Sequence, residues 1–202
     1  MIGDILADNL NSRGWYVDPD QDNVTAANSD NDWFWEELYS SVQLCNNLIT
    51  LIQGLDNPTP LQKQYEAESR VIRAWLYTQI IQLWGSAPLL TEVTDDPVPR
   101  NTEEELWQFV KSELEYGVAN APELTSISHI SNTAAKALLA RVLLIAPSPI
   151  QDKARSAQLA KELIDDGRFQ LADDPAEIWH SRTSSEIILQ WNNISGDSGA
   201  FG

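Results

Sequence analysis

Residues 6–23, LADNLNSRGWYVDPDQDN, bring together the side chains that sugar recognition uses. Asp8 and Asn9 offer carboxylate and amide groups for hydroxyls, Arg13 offers a fork of N–H donors, and Trp15 and Tyr16 offer flat faces for sugar C–H groups. Trp33 and Trp35 follow at the start of the next predicted helix. A plainer reading has Trp15 and Tyr16 packing this loop onto the rest of the fold. For aromatics with no partner in view, packing is the favoured reading.

The acids of DPDQDN (18–23) alternate as in the first half of a calcium loop. Position twelve counted from Asp18 is Ser29 in place of the bidentate Glu, and Asn23 stands where the sharp turn needs Gly. The run therefore does not match the EF-hand pattern. A solvated acidic turn is the default, an irregular calcium site stays open as the alternative, and no metal or cofactor is assigned. The chain has two histidines, His129 and His180, and one cysteine, Cys45. That is too little for most zinc or nucleophilic sites, and a lone Cys in a helical pattern is usually a small buried apolar residue. Thirty acids leave a glycosidase-type carboxylate pair undenied, but no motif marks one, so the chain is read as no enzyme.

Charge narrows the partners. Thirteen Lys and Arg against thirty Asp and Glu give a net charge of −17, which repels phosphate backbones, so nucleic acid is excluded as a partner. The longest apolar runs, such as ALLARVLLIA (137–146), fall well short of the roughly 20 residues of a membrane span. Residues 1–14 lack the pattern of a secretory signal, which fits either a cytosolic protein or a processed one.

The elements that must position these side chains are helices. Thr59-Pro60 with Gln62, and Thr102 with Glu105, have the form of capping boxes, and Ser148-Pro149 with Gln151 repeats that form. Gly54, Gly85 and Gly167 stand at expected stops. The signals predict helices over about 32–53, 60–84, 102–120, 132–146 and 150–166, with a short one around 4–11. Beyond Gly167, RFQL and EIILQW (186–191) are candidate strands.

In the second helix, Leu61, Tyr65, Ile72, Leu76, Ile80 and Leu83 form an apolar ridge that Val71 and Trp75 widen, while Glu66, Arg70, Arg73 and Tyr77 share the opposite face. Trp75, Trp84 and Trp107 are expected in the core, and Trp179 and Trp191 in a weaker C-terminal region. VIRAWLYTQII (71–81) aligns without gaps on AAKALLARVLL (134–144), and EELYSSV (36–42) on EELWQFV (104–110). These offsets of 63 and 68 residues are about twice the 34-residue tetratricopeptide repeat. The predicted fold class is all-α: tetratricopeptide-like hairpins stacked as an α-solenoid, with irregular loops and short strands near the C-terminus.

AESRVIRAWLYTQIIQLWGSAPLLTE (67–92) resembles the signature of the SusD/RagB family, in which an Arg-x-x-Arg-Ala helix runs into a Trp/Phe-Gly-x-x-Pro-Leu turn. WEELYSSVQLCNNLI (35–49), VPRNTEEELWQFVKSELEYGVANAPEL (98–124), TAAKALLARVLL (133–144) and AKELIDDGRFQLADDPAEIW followed by SSEIILQW resemble the adjoining segments, in family order. The resemblance implies a lipid-anchored, surface-exposed glycan- or nutrient-binding protein of Bacteroidetes. It also implies a TonB-dependent outer-membrane transporter of the SusC kind as partner, an oligosaccharide or other nutrient as ligand, and ligand contacts from the segment before the first long helix, hence Asp8, Asn9, Arg13, Trp15 and Tyr16. The family's members are longer and carry the lipid on an N-terminal Cys, which Cys45 cannot replace. The chain is accordingly expected to be one N-terminal helical domain, 1–202, of a longer protein: a loop-rich segment 1–31, helical hairpins 32–166 and an irregular end 167–202. The alternative is a tetratricopeptide-like scaffold that binds only protein.

Overall fold

The computed structural model describes residues 25, 28–94, 96–174, 176 and 184–190. The expected helix around 4–11, the loop 6–23, His180, Trp179 and Trp191 lie outside the described residues. The chain falls into two units, 1–42 and 43–202. In the first, Asn28 caps helix α1 (Ser29–Gln53) by accepting the Asn31 N–H at 3.0 Å, and Asp30 and Asp32 lie at the positive end of its dipole.

The second unit receives the end of α1 and holds α2 (Pro60–Trp84), a two-residue pair β1 (Ala87–Pro88) and β2 (Arg100–Asn101), then α3 (Glu103–Asn120), α4 (Asn132–Ile145) and α5 (Lys153–Asp165). Thr59 with Gln62 and Thr102 with Glu105 form complete capping boxes, as their spacing predicts. Ser148 does not cap a helix. Its bond to Pro149 is cis, the Ile150 and Gln151 N–H groups turn back to the Pro147 carbonyl, and α5 begins later, with Asp152 accepting the Arg155 N–H at 2.9 Å. A carboxylate three residues before a free N–H is the stronger acceptor at that end.

Helix α2 packs on α3, α3 on α4 and α4 on α5, and α2 also touches α4, which is the stacked-hairpin array expected of the repeats. Val71, Ala74 and Ile80 of α2, Leu106, Val110 and Leu114 of α3, and Ala135, Leu139 and Leu143 of α4 are all buried. The helices meet closely at Gly117, where an added Cβ would collide with Cγ2 of Val71 and lie 3.2 Å from the Cβ of Ala135.

Two expectations are corrected. The ridge of α2 is not uniformly inward: Leu61, Tyr65 and Leu83 are exposed, whereas Glu66, Arg73 and Tyr77 on the opposite face are buried. Counter-ions from neighbouring helices make that burial tolerable. The candidate strands after Gly167 form no ladder among the described residues. They meet through the Gln170 N–H to the Ser185 carbonyl (3.1 Å) and the Ala172 N–H to Glu186 Oε2 (3.0 Å). The observed ladder is instead β1 with β2, antiparallel, with Ala87 opposite Asn101. It closes the loop that leaves α2 at Gly85, whose φ of +67° suits glycine.

Candidate functional site

The densest chemistry among the described residues lies on the inward polar face of α2. Glu66, Arg70, Arg73 and Tyr77 recur at four, three and four residues, so they stand in one row. Helix α3 answers with Phe109, Glu113 and Tyr116, and α1 with Asn46 and Gln53, at the same helical spacing.

Glu113 joins the two arginines. Its Oε2 accepts from Arg73 Nε (2.9 Å) and Nη2 (2.5 Å), and its Oε1 accepts from Arg70 Nη1 (2.7 Å). Glu66 Oε1 accepts from Arg70 Nη2 (2.9 Å) and from Gln53 Nε2 (2.9 Å). The Arg70 guanidinium lies 4.3 Å from the Tyr116 ring centroid and that of Arg73 lies 5.2 Å from Phe109, so the cations are walled by π faces as well as carboxylates. Burial works against the charge of Arg70, but Glu113 and Glu66 outweigh it and hold its pKa above the ordinary value. Among the described residues no buried side-chain nitrogen or oxygen lacks a hydrogen bond.

The far ends of this network converge on one backbone stretch. Arg73 Nη1 donates to Asn46 Oδ1 (2.5 Å) and to the Thr91 carbonyl (3.3 Å). Asn46 Nδ2 donates to the carbonyls of Leu90 (2.9 Å) and Glu92 (3.2 Å). Tyr77 Oη accepts from the Leu90 N–H (2.7 Å), and its O–H faces the Pro88 carbonyl at 3.3 Å. Burial pushes the Tyr77 phenol up to about 12, partly offset by the Leu90 N–H, so it stays protonated at every physiological pH. The polar row of α2 is therefore, with Asn46 of α1, a clamp that fixes the backbone of residues 88–92.

Cys45 lies beside the clamp, and burial raises its thiol to about 11 against the opposing pull of Arg73. Only about a thousandth of it is thiolate at pH 8, so alkylation by iodoacetamide should be at least about 100-fold slower in the native protein than after unfolding. Rates that match between the two states would contradict the burial.

Concavities among the described residues lie apart from the clamp. A groove of about 500 Å³ between α2 and α4 is lined chiefly by Ile72, Trp75, Ala137 and Leu138, with residues 186–189 along it and Arg141 among its lining residues. A more polar cleft of about 420 Å³ has Gln64, Glu68, Thr125 and His129 around it. Burial raises the pKa of Glu68, with His129 pulling the other way.

Trp107 is in the core, as expected, and its Nε1–H donates to Glu103 Oε1 at 3.1 Å. Trp75 and Trp84 are only half-buried, because one lies along the groove wall and the other ends α2. In the first unit Trp33 is exposed, and Trp35 stands 4.6 Å from Tyr39 between ring centroids. The proposed contacts Asp8, Asn9, Arg13, Trp15 and Tyr16, and the acidic run 18–23, lie outside the described residues. Glu113 and Asn46 were not singled out from the sequence. The matching four-and-three spacing of Phe109, Glu113 and Tyr116 was the signal that could have found the first.

A SusD-like family model described as "Starch-binding associating with outer membrane" matches residues 2–144. A SusD-like protein of Bacteroides ovatus is 33% identical over 129 residues, covering 60% of this chain and 23% of that protein. Among solved structures, one with a xylogluco-oligosaccharide superposes with a TM-score of 0.80 at 24% identity, over 93% of this chain and 41% of that one. A laminarin binding SusD-like protein gives a TM-score of 0.69 at 22% identity, over 77% and 36%. These two likenesses establish the fold. The chain spans about a quarter of the length of the curated relatives it matches, at 23% and 24%.

Proposed function

The chain belongs to the SusD-like family, and from that premise we propose that it is a non-catalytic glycan- or nutrient-binding protein of the cell surface, working with a TonB-dependent outer-membrane transporter of the SusC kind. The observation that carries this reading is the match of the family described as starch-binding over residues 2–144, which includes the loop 6–23. The xylogluco-oligosaccharide and laminarin named for two structures of the same fold support an oligosaccharide as ligand. The family's association with the outer membrane supports the location, and a lipid anchor in the full-length protein is part of the same proposal.

Binding without cleavage agrees with how the buried acids are used. Glu66 and Glu113 are held by Arg70 and Arg73, so neither is a proton donor facing a cleft. Within the reading, Trp15 and Tyr16 stack on the sugar while Asp8, Asn9 and Arg13 take its hydroxyls.

Tryptophan fluorescence during titration with xyloglucan and laminarin oligosaccharides tests the site. Trp15→Ala should weaken binding of whichever glycan the parent binds by about 10-fold or more, the equivalent of about 1.4 kcal/mol. Unchanged affinity in that variant would remove the 6–23 loop from the site while leaving glycan binding itself standing. Co-purification of the transporter from detergent-solubilised outer membranes tests the partner, and its absence there would argue against the partnership.

A further inference from the structure

The polar cleft beside the first turns of α2 is built differently from the clamp. In the clamp each charged group is held by another part of the protein. Around the cleft of about 420 Å³, by contrast, the side chains of Gln64, Glu68, Thr125 and His129 make no hydrogen bond to the described residues. Thr125 and His129 are exposed, and no buried side-chain nitrogen or oxygen among the described residues lacks a partner, so the polar atoms of all four are open to whatever enters.

Gln64 and Glu68 lie one turn apart on α2, and Thr125, Ser126 and His129 come from the connection between α3 and α4. That connection is held in shape. The Asn132 N–H donates to the Pro122 carbonyl (2.8 Å), Asn132 Nδ2 donates to Glu123 Oε1 (2.9 Å), and the Gln190 N–H donates to the Ile127 carbonyl (2.8 Å). Walls that are already fixed lose little freedom when a ligand arrives.

The groups around the cleft select the ligand. Glu68 and Glu123 repel an anion, and no aromatic ring is among the described lining residues to hold a quaternary ammonium. No three His, Cys, Asp or Glu of the described residues stand together as a metal ion needs. A simple ammonium only donates, and would leave the N–H groups of Gln64 and His129 without an acceptor. Sugar hydroxyls both donate and accept: they can give to the Glu68 carboxylate and take from the Gln64 amide and the His129 ring. Along α2, Gln64, Glu68, Ile72 and Trp75 follow in one stripe over about 16 Å. Ile130 lines both this cleft and the groove that Trp75 walls, so the polar groups adjoin a half-buried indole, the kind of face on which sugar C–H groups pack.

We infer that this cleft is a glycan subsite formed by residues other than those of the 6–23 loop, in which Gln64, Glu68 and His129 bind the hydroxyls of a neutral glycosyl unit. The inference rests on the glycan-binding reading above and adds to it a place within the 43–202 unit.

Imidazole resonances of histidine-labelled protein, expressed from its whole reading frame, report on the cleft during titration with xyloglucan and laminarin oligosaccharides. The His129 signal is assigned by its loss in His129→Gln, and a saturable displacement of that signal is expected. Glu68→Ala should raise the half-saturation concentration read at His129 by about 10-fold and Gln64→Ala by about 5-fold, for loss of a charged and a neutral hydrogen bond respectively. Unchanged melting temperatures would show that both variants are folded. A glycan that binds by calorimetry while the His129 signal stays still would overturn the inference and leave glycan binding standing. No binding by calorimetry would remove both. A displacement that both alanine variants reproduce at the parent's half-saturation would place the sugar elsewhere and overturn the inference as well.

Discussion

Replacing Arg73 with Met should cost about 3–5 kcal/mol of stability, because it leaves the Glu113 carboxylate in the core without its closest cation. Arg73 is 3% exposed and Glu113 equally so, and the pair lies at 2.5 Å. The side chain removed also bridges to Asn46 and the Thr91 carbonyl, so the loss extends to the loop anchor. Chemical denaturation of Arg73→Met, Glu113→Leu and the double variant separates the contributions. The double variant should be more stable than the sum of the single losses implies, because it removes both buried charges of the pair together. Additive losses would show that the two side chains act independently, contrary to the geometry. Asn46→Leu should cost less, because it removes hydrogen bonds and strands no charge.

Gly117→Val is the second large effect. A Cβ at this position would collide with Cγ2 of Val71 and press on Ala135, and neither helix can withdraw without opening the core between α2, α3 and α4. Overpacking of this kind costs typically 1–3 kcal/mol, and a branched side chain lies at the upper end. Gly117→Ala separates collision from backbone effects, because within a helix Ala is favoured over Gly by about 1 kcal/mol. In the parent background Gly117→Ala should be destabilising. Combined with Val71→Ala, which clears the colliding methyls, the same substitution should cost much less. Thermal unfolding of the four proteins measures the difference, and a Gly117→Ala variant stabler than its parent would contradict the close crossing.

The helices were legible because their boundaries are written in local chemistry. The boxes at Thr59 and Thr102 and the stop at Gly85 involve residues at most four apart, and the structure has α2 and α3 beginning and α2 ending where those signals stand. Ser148-Pro149 misled because Ser148 stands in a turn and the helix starts at a second cap, Asp152, four residues on. The orientation of α2 was not legible for a different reason. Its polar row reads as a solvated face until Glu113, 40 residues away from Arg73, supplies the charge that makes burial tolerable. The pair β1 and β2 is two residues long on each strand and has no periodicity to detect. The ligand residues expected in 6–23 rest on residue type and family resemblance, and the described residues do not include them.

The polar clamp also explains why the Arg-x-x-Arg-Ala and Pro-Leu-Leu segments go together. Arg73 and Tyr77 on α2 reach the backbone of the segment that follows Pro88, so the helix and its exit turn are one mechanical unit. The motif is thus architectural: its side chains are used to hold the exit turn.

The most direct test of the account is calorimetric titration of the protein, expressed from its whole reading frame, with xyloglucan and laminarin oligosaccharides, followed by chromatography of the recovered sugars. Saturable binding of an oligosaccharide, with the sugar recovered intact, is the expected result. No binding across a broad glycan panel, or recovery of shortened products, would contradict it.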